Sequence, residues 1–209
     1  LAKEALTYKS NVLPWAGVAI EMDNNEPISK DGSWHTFLPL FKSKHPLVIH
    51  GWFELNETRT KIIHTGSGDE LEILKKWNEM LFENAVGIAW ALLIEFISNE
   101  KNIKNIYKFW AKTVNDSNID SVLEECLLKG FYKKISELSC LYTLFKSQNE
   151  WSSLKNTDLY FFNDEDNNQL LESFSSTFPL INPKPNKFII NGFKEYAQID
   201  IQEITPEFI

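Results

Sequence analysis

Arginine is almost missing from this chain: Arg59 is the single arginine among 21 basic side chains, the rest being lysine. Cysteine is nearly as scarce. Cys126 and Cys140 have no partner spacing, which excludes a disulfide framework and reads as two reduced core residues of a cytosolic protein. There is no basic stripe, and the net charge is −8, so nucleic-acid binding is excluded as a function class. No apolar run reaches the roughly twenty residues that a bilayer needs. The most apolar stretch, Ala85 to Ile97, carries Glu95 and reads as a core helix, so no membrane partner is expected. A charged n-region followed by an apolar segment is lacking, so no signal peptide is expected. Starting on Leu1, the chain reads as an excised piece of something longer.

Catalytic and ligand-holding motifs are equally sparse. His35, His45, His50 and His64 lack the short paired spacing of a zinc site, and the cysteines lie far from them in sequence. Gly66-Ser67-Gly68 has no following Gly-Lys-Ser/Thr and no third glycine, so it reads as a turn and helix cap. No Gly-x-Ser-x-Gly elbow occurs. The run Asp164-Glu165-Asp166 lacks the loop glycine and terminal glutamate of a calcium hand and reads as a solvated loop. No catalytic residue and no metal ligand can be assigned to the chain by its own residues.

What is present is a globular composition: 43% hydrophobic residues, 24% charged, with seven Trp and fifteen Phe. The expected fold class is α+β, in two parts. Residues 1–100 form a small mixed or antiparallel sheet backed by a long helix, and 101–209 form a more helical α+β lobe. Strands are expected over Pro14–Met22, Ser33–Leu40 and Leu47–Leu55. The third carries bulk on both faces and should be central, with short connections favouring antiparallel neighbours. A long helix should run from Asp69 to Ser98, capped by Ser67 or Asp69 and acidic in its first turn. Its core stripe is read as Trp77, Leu81, Ala85, Ile88, Leu92 and Phe96, widened by Met80, Val86, Ala89 and Leu93, with Gly87 packed closely on a strand. Downstream come a helix with Ile103, Ile106, Tyr107 and Trp110, and a second from near Ser117. Strands at Leu141–Phe145 and Leu159–Phe162, a helix over Gln169–Ser176 and a loosely held tail from Gln202 complete the expectation.

Arg59 ends the most motif-like stretch, Leu47-Val48-Ile49-His50-Gly51-Trp52-Phe53-Glu54-Leu55-Asn56-Glu57-Thr58-Arg59. A guanidinium offers a planar fork that fits carboxylate or phosphate, which an ammonium does not. The plain alternative is a surface ion pair with Glu54, Glu57 or a helix carboxylate.

Seven segments in order resemble the internal repeats of the sacsin family. They are Leu13-Pro14-Trp15-Ala16-Gly17-Val18-Ala19-Ile20, Trp34-His35-Thr36-Phe37-Leu38-Pro39-Leu40, the stretch Pro46 to Arg59, and Lys76-Trp77-Asn78-Glu79-Met80-Leu81. Phe131-Tyr132, Trp151-Ser152-Ser153-Leu154 and Pro179-Leu180-Ile181 with Pro183 follow. In that family a Bergerat-fold ATPase module, similar to the ninety-kilodalton heat-shock chaperones, precedes such a segment. The resemblance implies a non-catalytic middle segment that lies downstream of a module holding ATP and magnesium and has no cofactor of its own. It implies that module as a partner within the same chain, client proteins or other chaperones as further partners, and a cytoplasmic location. It also implies that Arg59 is the one cofactor-binding residue, a sensor of the γ-phosphate. The family often has two basic residues at this point, whereas Thr60 separates Arg59 from Lys61 here.

Overall fold

The computed structural model describes residues 13–24, 26–65, 67–101, 106–146, 148–155, 158–162 and 168–205. It is an α+β protein with two compact units. One comprises the described residues up to Leu93 together with Ala111–Phe131, and the other Ile94–Trp110 with Tyr132 onward. Each unit is discontinuous in sequence, whereas the sequence reading places one break near residue 100.

In the first unit, β1 (Ala16–Ala19), a small hairpin β2 (Met22–Asp23) and β3 (Glu26–Pro27), β4 (Gly32–Thr36), β5 (Leu38–Ser43) and β6 (Val48–Gly51) precede the long helix. The main sheet has the order β1-β6-β4-β5. β6 is internal to the sheet, as expected. It runs antiparallel to β1 and parallel to β4, so the sheet is mixed, one of the two forms expected. The expected strand Ser33–Leu40 is two strands folded on each other, with Thr36 opposite Leu38 and Phe37 alone at the tip. Phe37 has φ 59, a left-handed conformation that aromatic side chains rarely adopt, so the residue type conceals the turn.

The helix runs as α1 (Asp69–Leu81), a π-helical turn (Phe82–Val86) and α2 (Gly87–Lys101). Its first turn is acidic (Asp69, Glu70, Glu72), but its cap is Gly68, with no side-chain cap from Ser67 or Asp69. The stripe read from sequence holds at Trp77, Leu81 and Val86 and fails at Leu92 and Phe96, which are exposed, while Trp90, Ile94 and Ile97 are buried. The wider π turn takes one more residue per turn than the α-helix, so it rotates everything after it and moves the buried stripe to new positions. This is the one helix among the described residues long and apolar enough to cross a bilayer. Nearly half of its most apolar window is packed inside the protein, as in a core helix.

Across the helix lies α3 (Ser121–Ile135), with Asp120 Oδ1 accepting from Val122 N at 2.9 Å at its start. Gly87 and Gly130 bring the two helix backbones together. A Cβ on Gly87 would lie 2.7 Å from Leu127 O and Phe131 N. The close packing expected of Gly87 is therefore against a helix, not a strand. The core beneath the sheet is aromatic: Trp34 stacks on Phe82 with centroids 5.2 Å apart, and Phe53 and His45 meet Trp34 edge-on.

His45 is enclosed in that core, its ring 5.1 Å from Trp90. Burial lowers its pKa from 6.5 to about 4; Asp116 pulls the other way and Lys112 adds to the fall. Above pH 6.5 the ring is neutral whether folded or unfolded, and its contribution to stability is complete. As pH falls from 6.5 toward about 4 the unfolded chain takes up a proton that the folded chain refuses. This linkage should remove about 3 kcal/mol of stability. Urea unfolding of His45→Phe between pH 7 and 4.5 checks it: the variant should lose distinctly less stability on acidification. Parallel pH curves would contradict the assignment.

The second unit is built on a five-stranded sheet of order β11-β9-β10-β7-β8. Its strands are β7 (Leu141–Phe145), β8 (Gln148–Ser152), β9 (Tyr160–Phe162), β10 (Leu180–Ile181) and β11 (Gln202–Ile204), with α4 (Asn168–Ser175) and α5 (Lys187–Gly192) between them. This lobe is more sheet-like than expected. β8 is mostly polar because it is an edge strand. The described start of the tail is anchored rather than loose, since β11 pairs parallel with β9 and buries Ile204; residues 206–209 lie outside the described residues. Of the helix expected to carry Ile103, Ile106, Tyr107 and Trp110, residues 102–105 lie outside the described residues, and the described part holds a 3-10 turn, Tyr107–Phe109. The acidic run Asp164-Glu165-Asp166 lies outside the described residues.

Candidate functional site

Past β6 the chain leaves the sheet, turns and comes back, and Arg59 sits in the turn. A single antiparallel bridge, Leu55 to Ile62, closes this loop. Asn56 N donates to Lys61 O at 3.0 Å, Ile63 N to Glu54 O at 2.9 Å, and Arg59 N to Asn56 O at 2.9 Å. Within the loop, the Asn56 side chain serves as the brace. Its Oδ1 accepts from Thr60 N (2.8 Å) and Lys61 N (3.1 Å), while Nδ2 donates to Thr58 Oγ1 and Thr60 Oγ1, both at 3.0 Å. A short polar side chain that meets four loop groups at once replaces the missing ladder bonds.

The base of the loop is fastened to α1 by three consecutive residues. Trp77 Nε1 donates to Trp52 O at 2.8 Å. Buried Asn78 accepts from Glu54 N at 2.8 Å and donates to Glu54 O and Ile63 O, both at 2.9 Å. Glu79 Oε1 is 3.0 Å from His64 Nε2, and the other ring nitrogen, Nδ1, lies 3.1 Å from Asp120 Oδ1. With a carboxylate at each nitrogen, both contacts are hydrogen bonds only when the ring carries two protons. A cleft of about 340 Å³ lies beside the loop base, lined by Asn56, Lys61, His64, Asp116 and Asp120 among others.

Arg59 has φ 55 and is exposed at the tip. Among the described residues its guanidinium takes part in no hydrogen bond or ion pair, with Glu54, Glu57 or a helix carboxylate. A left-handed conformation costs a non-glycine residue roughly 1–2 kcal/mol. The cation is thus held out on a braced loop, free for an external carboxylate or phosphate.

The other candidate groups have local roles. His35 Nε2 contacts Ser33 Oγ at 2.8 Å, and His50 Nε2 accepts from Phe37 N at 2.9 Å. Both cysteines are free thiols. Burial, with Glu79 and Glu83 adding to it, pushes Cys126 up to about 11, and burial raises Cys140 further, so neither is a ready thiolate. Among the described residues no group of three or more His, Cys, Asp or Glu side chains is arranged to hold a metal ion. The brace and the fastening were not anticipated from sequence. Asn56 three residues before Arg59 was visible only as part of a motif, and Asn78 gave a single signal, a polar residue beside the apolar stripe. No protein-family model, curated protein or solved structure matches this chain.

Proposed function

We propose that this chain is the non-catalytic middle segment of a sacsin-like chaperone repeat. In this reading it couples the nucleotide state of an upstream ATPase module, which holds ATP and magnesium, to protein quality control in the cytoplasm. Arg59 is the contact point and reaches the γ-phosphate of the nucleotide held by that module. The observation that carries the reading is the free guanidinium at the tip of a loop braced through Asn56, Thr58 and Thr60. A purely architectural segment has no use for such a display; it would lock the arginine in an internal pair. The chemistry suits the role, since a guanidinium neutralises charge that develops on a terminal phosphate and senses its loss.

The test is ATP turnover by the chain joined to its upstream module. Arg59→Ala should lower turnover by about 10²-fold while leaving nucleotide binding nearly intact. Arg59→Lys should recover little of it, because an ammonium lacks the bidentate fork. Unchanged turnover in Arg59→Ala would remove the sensor and leave the architectural scaffold as the better reading.

A further inference from the structure

The solvent face of the first unit's sheet carries a second feature, separate from the Arg59 loop. By strand register Trp15, Gly17, Val48, His50, Ser33 and His35 share this face, and its one permanent charge in the register, Lys42 opposite Ser33, lies away from the rings at the β5 edge. Wet sheet faces are ordinarily polar. Here Trp15 is 47% exposed, Val48 41% and Phe37 at the β4–β5 tip 73%. The rings form one cluster: Trp15 to His50 is 4.9 Å, His50 to Phe37 6.0 Å, and Phe37 to Trp52 5.9 Å.

Two properties mark the cluster as built for a partner. The first is strain. Phe37 occupies the left-handed region at φ 59, where glycine or asparagine would sit without cost, and it exposes an aromatic ring there. The second is donor polarity. Because His50 Nε2 accepts the Phe37 amide, a neutral ring carries its proton on Nδ1. Among the described residues that Nδ1 and the indole nitrogens of Trp15 and Trp52 have no hydrogen-bond partner. The face therefore offers N–H donors between ring surfaces.

We propose that this face docks a proline-rich segment in the polyproline II conformation. Such a segment has rings that stack on aromatic side chains, carbonyls left free by the absence of internal hydrogen bonds, and few N–H groups in need of acceptors. An added β-strand would instead pair along a sheet edge through its own backbone and has no need of ring surfaces.

The test is titration of the 209-residue chain with a decaproline peptide, followed by the indole N–H resonances of Trp15 and Trp52, with a Gly-Ser decapeptide as control. Saturable shifts with decaproline alone are expected. Trp15→Ala and Phe37→Gly should each weaken binding by about tenfold or more. Glycine accepts the Phe37 backbone conformation, so the second variant should stay folded, as thermal melting will show. No saturable shift at millimolar decaproline, or undiminished binding by either variant, would overturn the proposal. Tighter binding of an alternating Val-Thr peptide would assign the face to strand addition and overturn it too. So would dimerisation of the free chain that Trp15→Ala abolishes.

Discussion

Asn78→Leu should destabilise the protein by about 4 kcal/mol in urea unfolding at pH 7, although leucine nearly matches asparagine in size. Asn78 is fully buried, and its amide holds Glu54 N, Glu54 O and Ile63 O at 2.8–2.9 Å. Leucine removes the acceptor for one part-buried backbone donor and the donor for two carbonyls, of which Glu54 O keeps the Ile63 amide. Two such groups left unmet against a fully buried leucine cost about 1–3 kcal/mol each. The loss should also show locally. Amide exchange over Glu54–Ile63 should speed up before global unfolding, since the segment carrying Arg59 hangs from this side chain. A change below about 1 kcal/mol would mean that water replaces these bonds and that Asn78 is not what fastens the loop.

Gly130→Ala should cost about 3 kcal/mol, against the usual gain of about 1 kcal/mol when alanine replaces glycine inside a helix. The added Cβ would lie 1.8 Å from Glu83 O and 2.7 Å from Glu83 C. These are backbone atoms of the π turn, so no rotamer change relieves the overlap; one helix must move away from the other. The ion pair beside this contact, Lys129 Nζ to Glu83 Oε1 at 3.1 Å, is a useful contrast. Its lysine is 44% exposed, and Lys129→Ala should cost less than about 1 kcal/mol. Thermal or urea unfolding of both variants separates the effects: the glycine should matter several-fold more than the charge. Equal effects would show that the helix crossing tolerates a methyl group.

Parts of this architecture were legible because they follow from local chemistry. The acidic first turn, the apolar length of the Asp69 helix and the two-faced β6 segment each point to one structure. The failures have local causes as well. Phe37 belongs to no turn class by residue type, so a hairpin reads as a strand. β8 is polar along most of its length and looks like a loop until β7 pairs with it. Periodicity assumes an unbroken α-helix, and the π turn at Phe82–Val86 violates that assumption without any breaker residue.

At the candidate site, Arg59 could be singled out by its rarity, but its presentation could not. Whether a guanidinium is locked or free depends on which carboxylates the fold brings near, and the loop's polarity gives no clue to that. By its residues alone this chain was bound to form an aromatic-rich α+β protein with a long buried helix, without a disulfide framework or a basic stripe. Tertiary structure decided which ring faces stayed wet, where the helix changed register and how Asn56 and Asn78 hold Arg59 outward. Those outcomes depend on contacts between residues distant in sequence, where a single extra residue in a helix turn or one absent Cβ changes which surfaces meet.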